Sequence, residues 1–397
     1  MQTFTGKDYV RIAIANAYGL DKELFETRIE WVSSKSMEEL YALVEKADEP
    51  PIMYAGILAL EDAMAGRPSG FMVGLDACSS GLQLMGAMMN CDVTAENTGL
   101  IDPNVRADIY TEVTKVMNQL LSKKGISVAP SRKGVKQATM THFYGSTEKP
   151  KEIFGDATVE LETFYEALEL MAPGACIAMS HLLGAWQPYE DSHDWVLPDG
   201  FNAKCPVMSE FDFKVEVEEL EKHTFTHRIM QNRGQESGLS VAANVIHSID
   251  GMVVREMQRR CNYGPMLLDE AKRRIQEAFP DGVPVPVGGF VSLRAANMLA
   301  QGELGITDLG KHVGDLYQLI NRCLAYRPFP IVCVHDEFKC HANHMNQLRW
   351  HYRQIFVELS ESDLLEGILG QIHGTQYQLP KLGNIGQQIA KSNYALS

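Results

Sequence analysis

The sequence predicts an α+β fold that is mostly helical. Apolar residues recur at helical spacing over most of the chain, and a few short strand-like runs are bounded by tight turns. No internal repeat or low-complexity tract interrupts this pattern. Helices mixed with a few antiparallel strands are the signature of an α+β arrangement.

Residues 8–47 read as helices, with apolar positions at Ile12, Ile14, Ala17 and Tyr18, then Phe25, Ile29 and Val32, then Leu40, Leu43 and Val44. Asp48-Glu49-Pro50-Pro51 stops them, and a further helix spans 52–66. Residues 71–76 form a short strand and 80–90 an apolar helix. Asp102-Pro103 opens a helix to about Lys124, and Pro130-Ser131 opens the next, to about Tyr144. Helices continue over 158–171 and 173–187. Residues 193–230 carry strand-like runs around Pro198-Asp199-Gly200, and 237–260 are helical. A Pro/Gly-rich loop covers 279–291, and 329–342 reads as strand, tight turn, strand. The last helix, about 343–360, precedes a short tail.

At 397 residues the chain is long enough for two or three packed subdomains. No stretch is long and apolar enough to span a bilayer, and the first residues lack a signal peptide's basic and apolar regions, so a soluble intracellular protein is expected. Eight cysteines without a CxxC pair fit reduced thiols rather than a zinc ribbon. His341 and His344 resemble half a metal site, but without further ligands they read better as residues opening an exposed helix. The net charge of −15 argues against nucleic-acid binding unless positive charge is local. Lys and Arg do cluster, between Lys115 and Lys136 and again between Arg255 and Arg274.

Three segments carry chemistry. Asp76-Ala77-Cys78-Ser79-Ser80-Gly81 ends a predicted strand in a turn of small residues. Val334-His335-Asp336-Glu337 puts Asp336 at the apex of a predicted hairpin. Taken singly, either aspartate is more often a cap or turn residue. Together they are what two Mg²⁺ ions require, since Mg²⁺ takes hard oxygen ligands and keeps several waters. Between them Arg132, Lys136, Met140 and Tyr144 fall four residues apart, along one side of a helix. Such a helix spans about 18 Å and offers cations near its N-terminus for phosphates, with Tyr144 at the sugar end.

These segments resemble motifs A, B and C of the single-subunit, bacteriophage- and mitochondrial-type DNA-directed RNA polymerases. The likeness extends to Asp108-Ile109-Tyr110, Trp195 to Phe201, Glu236-Ser237-Gly238, His247-Ser248-Ile249-Asp250-Gly251 and the tail at Tyr394-Ala395-Leu396. It implies a right-hand polymerase palm with a small antiparallel sheet and helical fingers. On this reading 1–70 is the helical base of the palm and 71–92 the palm with motif A. Residues 93–247 are fingers with motif B and a specificity hairpin. Residues 248–397 are palm with motif C, an insertion at about 262–328 and a C-terminal foot. The implied roles are Asp76, Asp336 and the Ala77 carbonyl for two Mg²⁺ ions, and Arg132 and Lys136 for the triphosphate. Lys136 is also a proton donor to pyrophosphate, and Tyr144 and His247 check the ribose 2′-hydroxyl.

The chain departs from the pattern in four ways. The family's N-terminal domain and thumb have no counterpart, so a smaller subunit is expected to supply them, as in two-subunit phage polymerases. Gln137 replaces a second cation, and Glu337 follows Asp336 as in family A DNA polymerases. The interval from His247 to Asp336 is long, and the hairpin around 208–228 is expected to be short. The resemblance implies DNA template, nascent RNA and ribonucleoside triphosphates as partners, and an accessory factor for DNA opening. It places the activity in the cytoplasm of an infected host cell. A family A DNA polymerase is the nearest alternative; Gly81 in place of its sugar-blocking glutamate and Met140-Thr141 in place of its Phe-Gly favour ribonucleotides. A non-catalytic polymerase-like scaffold is the other.

Overall fold

The computed structural model describes residues 1–397, and capping chemistry sets its first helices. Helix α1 (Gly6–Ala15) starts at a reciprocal capping box between Thr5 and Asp8. Helix α2 (Phe25–Ser33) is followed by α3 (Met37–Leu43), opened by a second box between Ser36 and Glu39. The prolines end this run as expected and also open the next helix, α4 (Pro50–Met64), two residues before the expected start, because the first helical position needs no N–H. Helix α1 packs against α2 and α4.

Strand β1 (Met72–Asp76) leads into α5 (Ser80–Met88), every residue of which is buried, as its mostly apolar sequence favours, with Ser80 and Gln83 hydrogen-bonded inside. Then come α6 (Asp92–Asn97), α7 (Ile109–Lys123), α8 (Arg132–His142), α9 (Glu148–Phe154), α10 (Val159–Met171) and α11 (Pro173–Leu183). Helix α7 begins well after the predicted Asp102-Pro103. Asp102 instead accepts a hydrogen bond from the Asn104 amide in a local turn, and Asp108 takes the cap by accepting from Thr111. Ser131 caps α8 as predicted.

A first hairpin pairs β2 (Ser192–Val196) with β3 (Asn202–Pro206), and a second pairs β4 (Met208–Val217) with β5 (His223–Asn232). The second is the predicted hairpin, but with ten residues in each strand it is long rather than short. Helix α12 (Ser240–Cys261) then crosses the molecule behind α5 and α11.

The stretch read as an insertion folds as α13 (Pro265–Ala278), α14 (Arg294–Gln301) and α15 (Val313–Leu324), around the predicted Pro/Gly loop. It has its own core of 13 buried apolar residues, separate from the main core of 76. Buried ions tie it down. Arg260 donates to Glu256, Glu358 and the Val291 carbonyl, and Glu256 accepts from Ser292 and the Leu293 amide. Breaking one member of such a buried set strands a charge, at a cost of about 3–5 kcal/mol.

Strands β6 (Val332–Val334) and β7 (Glu337–His341) form the predicted hairpin, and β1 pairs with β7 to give an antiparallel sheet of order β1-β7-β6. Helix α16 (Met345–Ser360) covers one side. The predicted tail contains two more helices, α17 (Leu364–His373) and α18 (Gly386–Ile389). No helix is long and apolar enough to cross a membrane.

Candidate active site

Sheet register brings the two distant aspartates together. Asp76, the last residue of β1, stands opposite Glu337, the first residue of β7. Asp336 precedes Glu337 in the two-residue turn between β6 and β7 and therefore projects past the sheet beside Asp76. The Ala77 amide donates to the Asp336 carbonyl at 3.3 Å, which locks the two turns together. His335 takes φ +55° in this turn, a left-handed conformation that non-glycine residues adopt at a cost of about 1–3 kcal/mol.

Both aspartates line a cleft of about 210 Å³, facing Lys136, Tyr144, Tyr110 and Gly81. Asp76 meets solvent along the cleft and protein on its other sides. That partial desolvation, then repulsion from Asp336 and Glu337, pushes its carboxyl up to about 6. Glu337 itself turns across Gly74, where a Cβ would collide with its carboxylate, and reaches Lys339 at 3.0 Å. No three His, Cys, Asp or Glu side chains converge as an all-protein metal cage. Two crowded carboxylates and the Ala77 backbone nonetheless suit Mg²⁺, which retains water and phosphate oxygens as ligands.

Helix α8 forms the opposite wall. Lys136, Thr139, Met140, Phe143 and Tyr144 line the cleft, which is the face the four-residue spacing selects. The helix ends at His142, so Tyr144 sits in the turn beyond it, before Gly145 at φ +84°. Lys136 Nζ lies 5.4 Å from the ring centre of Tyr110, whose hydroxyl donates to Ser79 at 3.1 Å. Burial pushes the Tyr110 phenol up to about 12, so it stays a donor.

Arg132 does not line the cleft. Its Nε donates to Asp108 at 3.0 Å and to Thr111 Oγ1 at 2.9 Å, pinning the start of α8 to the start of α7. Burial raises the Asp108 carboxyl, but the Thr111 hydroxyl, then Arg132, then the Thr111 amide together hold it below the usual carboxylate range. The expected triphosphate role of Arg132 would need this pair to open.

Tyr144 and His247 are brought together as ring neighbours, with centres 4.5 Å apart and planes at 43°. Burial lowers the imidazole's proton affinity, which keeps His247 neutral near pH 7. One turn along α12, Asp250 accepts from Ser80 Oγ at 3.2 Å. Burial, then repulsion from Asp336, pushes Asp250 up to about 6. A Cβ at Gly81 would sit 3.6 Å from the Tyr144 hydroxyl, so any longer side chain there would occupy the space before Tyr144.

The C-terminal segment braces the Asp76 turn. The Ser397 amide donates to the Asp76 carbonyl at 2.9 Å, and Leu396 bridges Ala77. Buried Gln83 donates to the carbonyls of Thr98 and Ala395 and accepts from Tyr352 at 2.8 Å.

Asp76, Ala77, Lys136, Tyr144 and Asp336 thus converge on one cleft, His247 stands one ring away, and Arg132 is turned aside. Tyr110, Asp250 and Ser80 received no role from the sequence. The i, i+3 spacing of His247 and Asp250 was the available signal, since it puts both on one helix face.

Three comparisons bear on this arrangement. The model of the family described as DNA-dependent RNA polymerase matches residues 3–153. The chain is 24% identical to a DNA-directed RNA polymerase of Pseudomonas phage phiKMV, in an alignment covering 98% of this chain and 47% of the relative. It is 32% identical to the "Probable DNA-directed RNA polymerase" of Neurospora crassa over 36% of this chain and 18% of that protein. The chain therefore spans about half the length of the phage relative, and less of the fungal one. With its sheet-borne aspartates facing a lysine-bearing helix, the chain is similar to phage-type DNA-directed RNA polymerases in sequence.

Proposed function

We propose that this chain performs DNA-templated RNA synthesis by two-metal nucleotidyl transfer. The observation that carries this reading is the single cleft in which Asp76 and Asp336 face Lys136 and Tyr144. Asp76, Asp336 and the Ala77 carbonyl would hold two Mg²⁺ ions. When bound, these would neutralise the triphosphate and activate the primer 3′-oxygen. Lys136 binds the phosphates and donates a proton to the leaving pyrophosphate. Arg132 joins it once it leaves Asp108. Tyr144 and neutral His247 flank the sugar and test its 2′-hydroxyl. Tyr110 sets the position of Lys136 from below.

Synthesis of DNA is the weaker reading, because Gly81 leaves room for a 2′-hydroxyl. The rest of such an enzyme, in our reading, comes on a smaller companion chain, and the holoenzyme acts in the host cytoplasm with template, transcript and a DNA-opening factor. The test is Mg²⁺-dependent extension of a labelled RNA primer on a DNA template, with ribo- and deoxyribonucleotides supplied separately. Extension with ribonucleotides is expected, and extension with neither would favour a scaffold. Gly81→Glu should lower the preference for ribonucleotides by about tenfold or more; an unchanged preference would remove Gly81 from sugar selection.

A further inference from the structure

We propose that Asp250 is a positioning residue for ribose selection, a role that rests on the nucleotide-binding reading of the cleft. It holds Ser80 and, through Ser80, fixes the gap between Gly81 and Tyr144.

Asp250 is an unexpected residue for its place. It lies inside α12, where aspartate is a poor helix former, and its carboxylate is mostly withdrawn from water. Its side-chain hydrogen bond comes from Ser80 Oγ, at 3.2 Å. Ser80 lines the cleft and Asp250 does not, so Asp250 acts through another residue.

Ser80 opens α5, and that end of the helix needs a tether. Ser79, the N-cap, makes no side-chain capping bond. Its hydroxyl accepts from Tyr110 instead. Gly81, next in line, has no side chain with which to anchor itself. The first turn of α5 is therefore held sideways, by Tyr110 from α7 and by Asp250 from α12.

What this tether positions is the space before Tyr144. A Cβ on Gly81 would lie 3.5 Å from Ile246 Cγ2 and 3.6 Å from the Tyr144 hydroxyl. Ile246, His247 and Asp250 occupy about one turn of α12, and the His247 ring packs on that of Tyr144. One helix thus sets both sides of the gap, His247 against Tyr144 and Asp250 against Ser80. A misplacement of about 1 Å in such a site can cost about a hundredfold. Burial first, then the Asp250 and Asp336 charges, also push the Tyr144 phenol up. A variant that keeps the acceptor and loses the charge separates the two effects.

The test is equilibrium binding of two fluorescent nucleotides, 2-aminopurine riboside triphosphate and its 2′-deoxy counterpart, opposite a templating thymine. The enzyme is used as purified, with any companion chain that accompanies it. The primer lacks a 3′-hydroxyl, so nothing is incorporated. The variants are Ser80→Ala, Asp250→Ala, their combination and Asp250→Asn. A ratio of two dissociation constants from one preparation is blind to any loss of folded protein. The wild type should favour the ribonucleotide by about tenfold or more. Each alanine variant should lower that preference by about fivefold, and the combination should lower it no further. Asp250→Asn should stay within about twofold of the wild type. An unchanged preference in either alanine variant, additive losses in the combination, or an asparagine variant as poor as alanine would overturn the positioning role. A wild type without ribose preference would overturn it together with the sugar-testing role of Tyr144 and His247. A wild type that binds neither nucleotide would remove the catalytic reading itself, and this role with it.

Discussion

The β6–β7 and β4–β5 hairpins are built from the same local chemistry but stand in opposite surroundings. The first is short, with three and five residues in its strands, yet β1 pairs with one edge and α16 covers it. Its apex can therefore hold a strained His335 and an aspartate crowded by two other carboxylates. The second is longer, with ten residues per strand and far more backbone pairing, yet neither face is covered. Strand length does not make a hairpin rigid. A third layer does, and rigidity is what a catalytic carboxylate needs.

The largest effect that sharpens this contrast lies at the β6–β7 apex. Asp336→Asn should cut primer extension by about a thousandfold or more, because on the proposed mechanism a metal ligand is lost. Template binding, followed by anisotropy, should change little. The same variant should let Asp76 and Asp250 fall back toward ordinary carboxylate values, visible as lower carboxyl titration midpoints by NMR. Retained extension would break the assignment of the apex.

Next in size is the packing behind each hairpin. Phe338 in β7 is 1% exposed and lies 5.6 Å from the ring centre of Tyr352. Phe338→Ala should destabilise the fold by about 3–5 kcal/mol in denaturant unfolding. The matching Phe213→Ala in the β4–β5 ribbon should stay within about 0.5 kcal/mol. Equal costs would mean that the ribbon is covered after all.

Lys136→Ala, across the cleft from the apex, should slow extension by about a hundredfold while leaving unfolding unchanged. A smaller effect should appear with pH. His351 on α16 is buried, and burial first, then the nearby Arg260 charge from α12, pushes its imidazole down to about 3. A histidine whose folded value lies below its unfolded one, near 6.5, stabilises nothing by protonation. Its protonation favours the unfolded chain instead, so stability falls as pH drops from about 6.5 toward 3. Replacing it by leucine should remove on the order of 1–2 kcal/mol of the loss between pH 7 and pH 5. An unaltered acid limb would assign the acid sensitivity elsewhere.

Much of the site is legible in residue type and spacing. Asp76 and Asp336 are readable because a strand end and a two-residue turn both declare themselves locally, and Lys136 and Tyr144 because helical spacing puts them on one face. Arg132 shares that spacing and still points elsewhere. Periodicity selects a face of the helix, whereas the partner is chosen by Asp108 on a neighbouring helix. The late start of α7 has a similar cause, since Asp102 and Asp108 are equally good caps and only packing separates them. Ser80 and Asp250 escaped because their meeting depends on two helices far apart in sequence lying side by side.

By itself the sequence determined the α+β class, the three motifs and the presence of strands around 193–230. All of these depend on short-range periodicity and turn chemistry. Tertiary structure alone decided that Arg132 is occupied, that Asp250 leans on Asp336, that residues 262–328 have their own core and that the ribbon's aromatic face is bare. Each of those depends on which distant surface comes to rest against a side chain, and local pattern carries no record of that.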